Sequence, residues 1–225
     1  MVEPVGRSGA DNMAADEALL DRAIRSAGEG GSAFLRLYRW DPPTLSIGRN
    51  QSIDVDPGVP VVRRPTGGKA VWHEHELTYA IAAPIALFGS LRNAYCEIHK
   101  RLATALRSLG VDATLAPSRP AVRPSDGPTS CFSAPVGGEI LVAGRKLVGS
   151  AQVRRGDAFL QHGSILLEGT QPGGAGGGTT VAAALGRPLS FGVVAAAIIR
   201  TWPDRLARSS DPALQLPDIA SLAAR

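Results

Sequence analysis

The sequence predicts an α+β fold, with a mixed and largely antiparallel β-sheet flanked by helices. Short segments that alternate apolar and polar residues, or that are rich in aliphatic residues, are typical of strands, and they interleave with segments of helical spacing. The interleaving lacks a regular strand–helix–strand period, which favours an α+β fold with a mixed sheet. With 225 residues, the chain is long enough to bury a substantial core, and we predict a single domain over residues 1–225.

The first half of the chain is predicted to contain one helix and five short strands. Asp11 or Asn12 can cap the helix, which ends in the glycine-rich segment 28–31. Turn residues such as Pro, Gly and Asp separate the segments that follow. The predicted strands cover residues 34–40, 44–48, 59–64, 70–72 and 77–83.

The second half begins with the clearest helix, from the N-cap residue Ser90 to Gly110. A loop rich in Pro and Ser then covers residues 111–130. The remaining predicted elements are strands at 139–142, 146–153 and 164–167, a glycine-rich loop over 169–180, and a helix capped by Ser190. The tail after about residue 209 is expected to be a short helix or frayed.

Composition argues against two classes of partner. The 24 basic and 20 acidic residues give a net charge of +4, but the basic residues are scattered and aromatic residues make up only 5% of the chain. We therefore expect no nucleic-acid partner, although a mildly basic rim would suit an acidic protein. The longest apolar run, residues 193–199, is too short to cross a bilayer, and no signal-peptide pattern is present. We expect a cytoplasmic protein without a membrane partner.

Cys131 and Lys146 bracket the segment that contains the strongest candidates for catalytic residues. A thiol is the best side-chain nucleophile at neutral pH, and a nearby ammonium can activate it or polarise the carbonyl that it attacks. Free cysteines are usually structural, and we assign that role to Cys96, which lies on an aliphatic helix. For Cys131, which follows a polar loop, both roles stay open. Lys146 is either on an exposed strand face or directed into a site.

A second candidate is the segment from Arg63 to His73. Its paired glycines, Gly67 and Gly68, allow a ligand to lie against main-chain N–H groups, although a hairpin turn would also explain them. The flanking arginines and the pair Trp72–His73 favour a binding loop. A third candidate is His162, which is either a structural histidine or one that orients the loop around an acyl pocket.

Two further patterns are rejected. His73 and His75, with Glu74 and Glu76, have no obvious third partner for metal ligation, so we predict no metal site. The run 173–178 imitates a phosphate-binding loop but lacks the Gly-Lys-Ser/Thr ending.

Several motifs in the same order resemble the superfamily of lipoate-protein ligase A, octanoyltransferases and biotin ligases. The motifs lie at residues 12–20, 43–51 and 63–71, within a resemblance that extends over about residues 11–202. The resemblance implies a biotin/lipoate ligase-like catalytic domain over residues 1–225 without an accessory C-terminal domain.

Within the superfamily, residues 73–79 (His-Glu-His-Glu-Leu-Thr-Tyr) are similar to the LipM-type octanoyltransferases. This branch also places a cysteine ahead of a Gly-Lys-Leu-Val-Gly-Ser-Ala-Gln strand, as Cys131 stands ahead of Lys146. ATP-dependent lipoate ligases instead carry a Gly-Asn pair after the histidine. The shortened C-terminus and the glycine-rich insert at 173–178 depart from the pattern and bear on partner docking.

The resemblance implies a ping-pong transfer. Cys131 would take an octanoyl or lipoyl group from acyl carrier protein and pass it to a lysine of a lipoyl-domain protein such as the glycine cleavage H protein, while Lys146 holds the carbonyl oxygen. The implied substrate-binding residues are Arg64, Thr66, Gly67, Gly68, Val71, Trp72, His73, Gly149, Ser150, Ala151, His162 and Gly163.

No cofactor and a monomer are expected for this reaction. Two alternatives stay open. One is an ATP-dependent lipoate-protein ligase, which would need ATP and Mg and would leave Cys131 structural. The other is a non-catalytic acyl-binding subunit that has kept the fold.

Overall fold

The computed structural model describes residues 1–117, 137–171 and 178–202. Its helices are α1 (Gly9–Ser26), α2 (Leu91–Ser108), α3 (Val181–Leu185) and α4 (Phe191–Arg200). Its strands are β1 (Phe34–Tyr38), β2 (Thr44–Ile47), β3 (Val61–Arg63), β4 (Val71–His73), β5 (Glu76–Pro84), β6 (Thr114–Leu115), β7 (Ile140–Val142), β8 (Arg145–Lys146), β9 (Val148–Arg155) and β10 (Ala158–Leu166). Within these described ranges, no helix has the length and apolar character needed to cross a membrane.

The central sheet is antiparallel throughout and has the strand order β1-β5-β10-β9. Every residue of β5 is buried, because helices cover both faces of the sheet. The register aligns Tyr79 with Gly163 and Ser150 in one row across β5, β10 and β9. Since alternate residues of a strand point to opposite faces, the next row, which contains His162, faces the other side.

The two faces of the sheet belong to two separate apolar clusters. On one face, Leu77, Tyr79 and Ile81 join the buried residues of α2 and α4. On the other face, Ala80 and Ala82 join the apolar residues of α1. The helices therefore fix the sheet from both sides, and α1 lies on the face that carries His162.

Two small sheets complete the described structure. One has the order β3-β2-β4, with β2 parallel to β3 and antiparallel to β4, and the other has the antiparallel order β6-β7-β8. The sheet content is therefore mixed and largely antiparallel, as the sequence predicts.

Helix ends agree with the sequence in α2 and differ in α1. Ser90 caps α2 through the Asn93 amide, and the amides of Gly110 and Val111 close its C-terminus on carbonyls of the last turn. The prediction of Asp11 or Asn12 as the cap of α1 is wrong. The cap is Ser8, whose hydroxyl accepts from the Asp11 amide at 3.2 Å.

The predicted strand over residues 146–153 is two strands. Lys146 pairs with β7, whereas the chain from Val148 onward pairs with β10. The strand predicted at 164–167 is also wrong at its start, since β10 begins at Ala158. The sequence analysis did not predict β6 or α3. The tail after residue 209 and residues 172–177 of the glycine-rich loop lie outside the described residues.

A buried ionic network attaches the N-terminus and α1 to the sheet. Arg36 has no exposed surface, and it donates to both carboxylate oxygens of Glu3 at 2.8 Å and to Oδ1 of Asp16 at 2.9 Å. It also donates to Oδ1 of Asn12 at 2.6 Å, and its guanidinium lies 3.8 Å from the ring centroid of Tyr38. The opposite charges and hydrogen bonds together compensate for the desolvation of all three ionic groups.

This network predicts a large effect of removing the guanidinium. Arg36→Leu leaves the buried Asp16 carboxylate without its guanidinium partner and leaves Glu3 paired with the half-exposed Arg7, which should lower the free energy of unfolding by about 3–5 kcal/mol. The matched control is Arg155→Leu, because the pair of Arg155 with Asp21 is half-exposed at the surface and should contribute less than about 1 kcal/mol. Urea denaturation measures both values. Equal losses in the two variants would contradict the assignment.

Candidate active site

A pocket of about 380 Å³, including its opening to solvent, lies on the α1 side of the central sheet. Its walls come from α1, from the end of β1 and the residues after it, from the residue that follows β3, and from β4, β5, β9 and β10. Most of the predicted substrate-binding residues line it. The lining residues are Met13, Tyr38, Trp40, Arg64, Val71, His73, Thr78, Gly149, Ser150, Ala151, His162, Gly163 and Ser164.

The pocket joins apolar surface to a few fixed polar groups. Met13, Trp40 and Val71 provide large apolar surfaces, and Gly149 and Ala151 keep the β9 side free of bulk. Pockets for small ligands commonly combine apolar walls with a few convergent polar groups. An aliphatic chain with one polar end is therefore a suitable occupant.

His162 is held from both ring nitrogens. Its Nδ1 lies 2.9 Å from Oδ2 of Asp16, and its Nε2 lies 2.7 Å from Oγ1 of Thr66. We assign the proton to Nδ1, because the Asp16 carboxylate, which also accepts from Arg36, can only accept. Nε2 then accepts from the Thr66 hydroxyl, so His162 fixes the loop that carries Thr66.

His73 is held in the same way on the opposite side of the pocket. Its Nδ1 lies 2.7 Å from Oε1 of Glu76, and its Nε2 is hydrogen-bonded to the Ser46 hydroxyl. The ring stacks on Trp40 with centroids 3.9 Å apart. Burial lowers the pKa of His73, although the neighbouring Glu76 acts in the opposite direction. His75 does not join it, since its half-exposed ring pairs with Glu74 instead.

Arg64 organises the diglycine loop. Its guanidinium donates to the main-chain carbonyls of Ser46 at 2.8 Å, Gly67 at 3.2 Å and Lys69 at 2.8 Å. Gly68 has a φ of 94°, a left-handed conformation that favours glycine. The cation therefore acts as a scaffold that holds residues 67–69 beside the pocket.

Four predicted substrate-binding residues lie beside the pocket without lining it. Thr66 is fully buried and bound to His162, and Gly67 and Gly68 belong to the loop held by Arg64. Trp72 alternates with the pocket residues Val71 and His73 along β4, and its indole N–H donates to Glu74 at 2.9 Å.

The structure describes one residue of the predicted catalytic pair, Lys146. Cys131 lies outside the described residues. Lys146 is buried, with 4% of its side chain exposed, and its Nζ lies 2.6 Å from Oε1 of the equally buried Glu139. Lys146 does not line the pocket. The sequence analysis did not single out Glu139 as its partner.

Sequence reasoning also missed a polar cluster that contacts the pocket residue Ser150. The Ser150 hydroxyl lies 2.7 Å from the Tyr79 hydroxyl and 2.8 Å from Nε2 of His99. Burial lowers the pKa of His99 to about 3, with a smaller contribution from the charge of Lys146. Burial raises the pKa of Tyr79 to about 12. The clue in the sequence was a histidine on the same helix face as Ile98 and Leu102.

The structure predicts that Gly163 cannot carry a side chain. A Cβ at this position would lie 2.4 Å from the Gly149 carbonyl oxygen and 2.6 Å from the Ser150 hydroxyl. Gly163→Ala should therefore push β9 away from β10 and lower the melting temperature. Gly67→Ala is the matched control for folding, because a Cβ there meets nothing within 4 Å. Differential scanning calorimetry should show a lower melting temperature for Gly163→Ala than for Gly67→Ala. Equal melting temperatures would contradict the close packing of β9 on β10.

The buried His99 predicts a pH-dependent stability. Its pKa is about 3 in the folded protein, whereas an unfolded histidine titrates near 6.5. The contribution of neutral His99 to the free energy of unfolding is therefore complete above about pH 6.5. It is lost as the pH falls toward 3, by up to about 1.4 kcal/mol per pH unit.

Urea denaturation of wild type and His99→Gln between pH 7 and 4 measures this contribution. The stability of wild type relative to His99→Gln should fall as the pH falls. His75→Gln, at a half-exposed position, is the matched control. A stability difference between wild type and His99→Gln that stays constant with pH would contradict a neutral buried His99.

Comparison with known proteins places this site in a family context. The model of the lipoyl protein ligase A/B catalytic domain matches residues 8–187. The chain is 46% identical to Octanoyltransferase LipM of Carboxydothermus hydrogenoformans over 172 residues, which cover 72% of this chain and 62% of that protein. It is 41% identical to Octanoyltransferase LipM of Staphylococcus aureus over 170 residues, which cover 69% of this chain and 60% of that protein. The chain thus spans about three fifths of the length of these curated relatives.

Solved structures share the fold. A crystal structure of lipoate-protein ligase A bound with ATP matches with a TM-score of 0.69 and 24% identity, covering 99% of this chain and 92% of that chain. A bipartite lipoate protein ligase from Thermoplasma acidophilum matches with a TM-score of 0.62 and 21% identity, covering 99% of this chain and 89% of that chain. These matches confirm the predicted fold. Because the family model covers most of the chain, this protein belongs to the lipoyl protein ligase A/B catalytic domain family.

Proposed function

We propose that this protein is a cysteine-dependent acyltransferase that moves an octanoyl or lipoyl group from acyl carrier protein to a lysine of a lipoyl-domain protein. The observation that carries the proposal is the pocket between α1 and the sheet, which has apolar walls and two hydrogen-bonded histidines. Relatives that are 40–46% identical to this chain are named Octanoyltransferase LipM, which agrees with this use of the pocket.

The pocket suits an acyl chain better than a charged ligand. Each buried methylene contributes about 0.8 kcal/mol, so an octanoyl tail contributes on the order of 5 kcal/mol when it is enclosed. The cation that lines the pocket, Arg64, is directed to the carbonyls of Ser46, Gly67 and Lys69. Its positive charge therefore serves the loop, and recognition of the acyl tail relies on apolar contact.

In the proposed reaction, the Cys131 thiolate attacks the thioester carbonyl of octanoyl-acyl carrier protein. The new carbon–sulfur bond replaces the old one, and the carrier's thiolate leaves and takes a proton. The ε-amine of the acceptor lysine then attacks the acyl-enzyme, forms an amide, loses a proton and releases Cys131. Since an amide replaces a thioester, the transfer is downhill, and no ATP is required.

Lys146 is proposed to stabilise the acyl carbonyl during both attacks. Its ammonium is buried beside Glu139, with 2.6 Å between Nζ and Oε1. A charge held in a dry environment interacts with a developing oxyanion more strongly than a solvated charge would. In this role, the ammonium also donates a hydrogen bond to the acyl carbonyl oxygen.

The remaining expectations belong to the same proposal. The donor is acyl carrier protein, an acidic partner suited to a chain of net charge +4. The acceptor is a lipoyl-domain protein such as the glycine cleavage H protein, and the enzyme works as a cytoplasmic monomer.

The proposal predicts a covalent intermediate. Incubation with octanoyl-acyl carrier protein without ATP should add the mass of one octanoyl group to the wild-type protein, and hydroxylamine should remove it. Cys131→Ala should form no adduct. Cys96→Ala is the matched control and should form the adduct, because Cys96 lies on α2 and does not line the pocket. Intact-protein mass spectrometry makes the measurement.

Other outcomes identify the alternatives. An adduct on Cys131→Ala would contradict the assigned nucleophile. Release of pyrophosphate that depends on both lipoate and ATP, without a thioester adduct, would identify an ATP-dependent ligase. Binding of octanoyl chains without either reaction would identify a non-catalytic acyl-binding subunit.

A further inference from the structure

A directed chain of hydrogen bonds ends at the pocket residue Ser150. It starts at the main-chain carbonyl of Leu91, which accepts from Nε2 of Gln152 at 3.3 Å. The same nitrogen donates to Oε1 of Gln161 at 3.2 Å, and Nε2 of Gln161 donates to the Tyr79 hydroxyl at 3.0 Å. The Tyr79 oxygen lies 2.7 Å from Oγ of Ser150.

The carbonyl of Leu91 sets the direction of this chain. A main-chain carbonyl can only accept, so the end of Gln152 that faces it is the NH₂ group. That orientation makes Gln161 accept through Oε1 and donate through Nε2 to Tyr79. The Tyr79 oxygen thus already accepts one hydrogen bond, and its own proton has the Ser150 oxygen as its acceptor.

The second neighbour of Ser150 is also a donor. His99 has no exposed surface, and its Nε2 lies 2.8 Å from Oγ of Ser150. Its Nδ1 is buried and has no hydrogen-bond partner among the described residues. Buried N–H groups without a partner are rarer in proteins than under-satisfied acceptors, so the proton belongs on Nε2 and the lone pair on Nδ1.

Both lone pairs of the Ser150 oxygen are then occupied, by the O–H of Tyr79 and the Nε2–H of His99. Its own proton remains to be donated, and no further acceptor for it lies among the residues that the structure describes. Ser150 lines the pocket between Gly149 and Ala151. The proton is therefore available to a hydrogen-bond acceptor inside the pocket.

We propose that Ser150 donates a hydrogen bond to the carbonyl oxygen of the bound acyl group, and that His99 is the positioning residue that fixes this polarity. The inference rests on the proposed function, because the carbonyl is the hydrogen-bond acceptor that an acyl group carries. Donors that are oriented before reaction stabilise a developing oxyanion without the cost of reorganisation. His99 itself stays behind Ser150 and does not touch the substrate.

The tautomer of His99 can be measured without any reaction. The chain has four histidines, and ¹⁵N-histidine NMR distinguishes a protonated from an unprotonated ring nitrogen. His99 should have its proton on Nε2, whereas His73 and His162 should have theirs on Nδ1, facing Glu76 and Asp16. The signal missing from His99→Gln assigns His99. A proton on Nδ1 of His99 would overturn the inference, because Ser150 would then donate to His99.

Kinetics test whether His99 acts through Ser150. Removing one oxyanion donor by Ser150→Ala should lower the kcat of acyl-enzyme formation by about a hundredfold or more, with a smaller change in KM. His99→Leu should lower kcat by about tenfold through the misdirected hydroxyl. His99→Gln, whose amide can donate to Ser150, should retain more activity than His99→Leu.

The double variant Ser150→Ala/His99→Leu decides between positioning and general structural support. If His99 acts through Ser150, the double variant should be no slower than Ser150→Ala. Multiplicative losses would overturn the positioning role, and unchanged kcat in Ser150→Ala would overturn the donor role. If His99→Leu does not fold, the His99→Gln comparison and the NMR tautomer still decide. A wild-type protein that forms no acyl-enzyme would instead contradict the proposed function and leave the tautomer result standing.

Discussion

The buried guanidinium of Arg36 is the constraint on which the site depends. It forms ion pairs with Glu3 near the N-terminus and Asp16 on α1, so it fixes that helix on the central sheet. The second oxygen of Asp16 orients His162, and His162 in turn binds the hydroxyl of Thr66. A chain of polar contacts thus runs from the protein interior to the loop beside the pocket. Because each group has a charged or hydrogen-bonded partner, the burial of so many polar atoms is tolerated.

Consecutive residues of strand β10 face opposite sides of the central sheet at the site. His162 faces α1 and the pocket, whereas the adjacent Gly163 lies in the row with Tyr79 and Ser150 that faces α2. The absence of a side chain at Gly163 lets Tyr79 reach the Ser150 hydroxyl across β10. The hydrogen bonds that orient Ser150 therefore come from Tyr79 and His99 on the α2 side, while Ser150 itself lines the pocket.

Local patterns predicted the parts of the structure that depend on neighbouring residues. Ser90 and Gly110 mark the ends of α2 because caps are formed within a few residues of the helix. The partnerships that build the site were not predictable in this way. Asp16 and His162 are 146 residues apart in the chain, and Lys146 finds Glu139 only because β7 and β8 form a hairpin. His99 was also missed, since its position on α2 follows the apolar periodicity and its polar partner, Ser150, lies on β9.

In the proposed reaction, the α1-side pocket holds the acyl chain of a Cys131 thioester. A crystal structure of the protein after reaction with octanoyl-acyl carrier protein tests it most directly. Continuous density should run from Sγ of Cys131 into the pocket, with the chain between Val71 and Ala151 and the carbonyl oxygen within hydrogen-bonding distance of Ser150 Oγ. An octanoyl group bound elsewhere, or attached to another residue while the pocket stays empty, would contradict it.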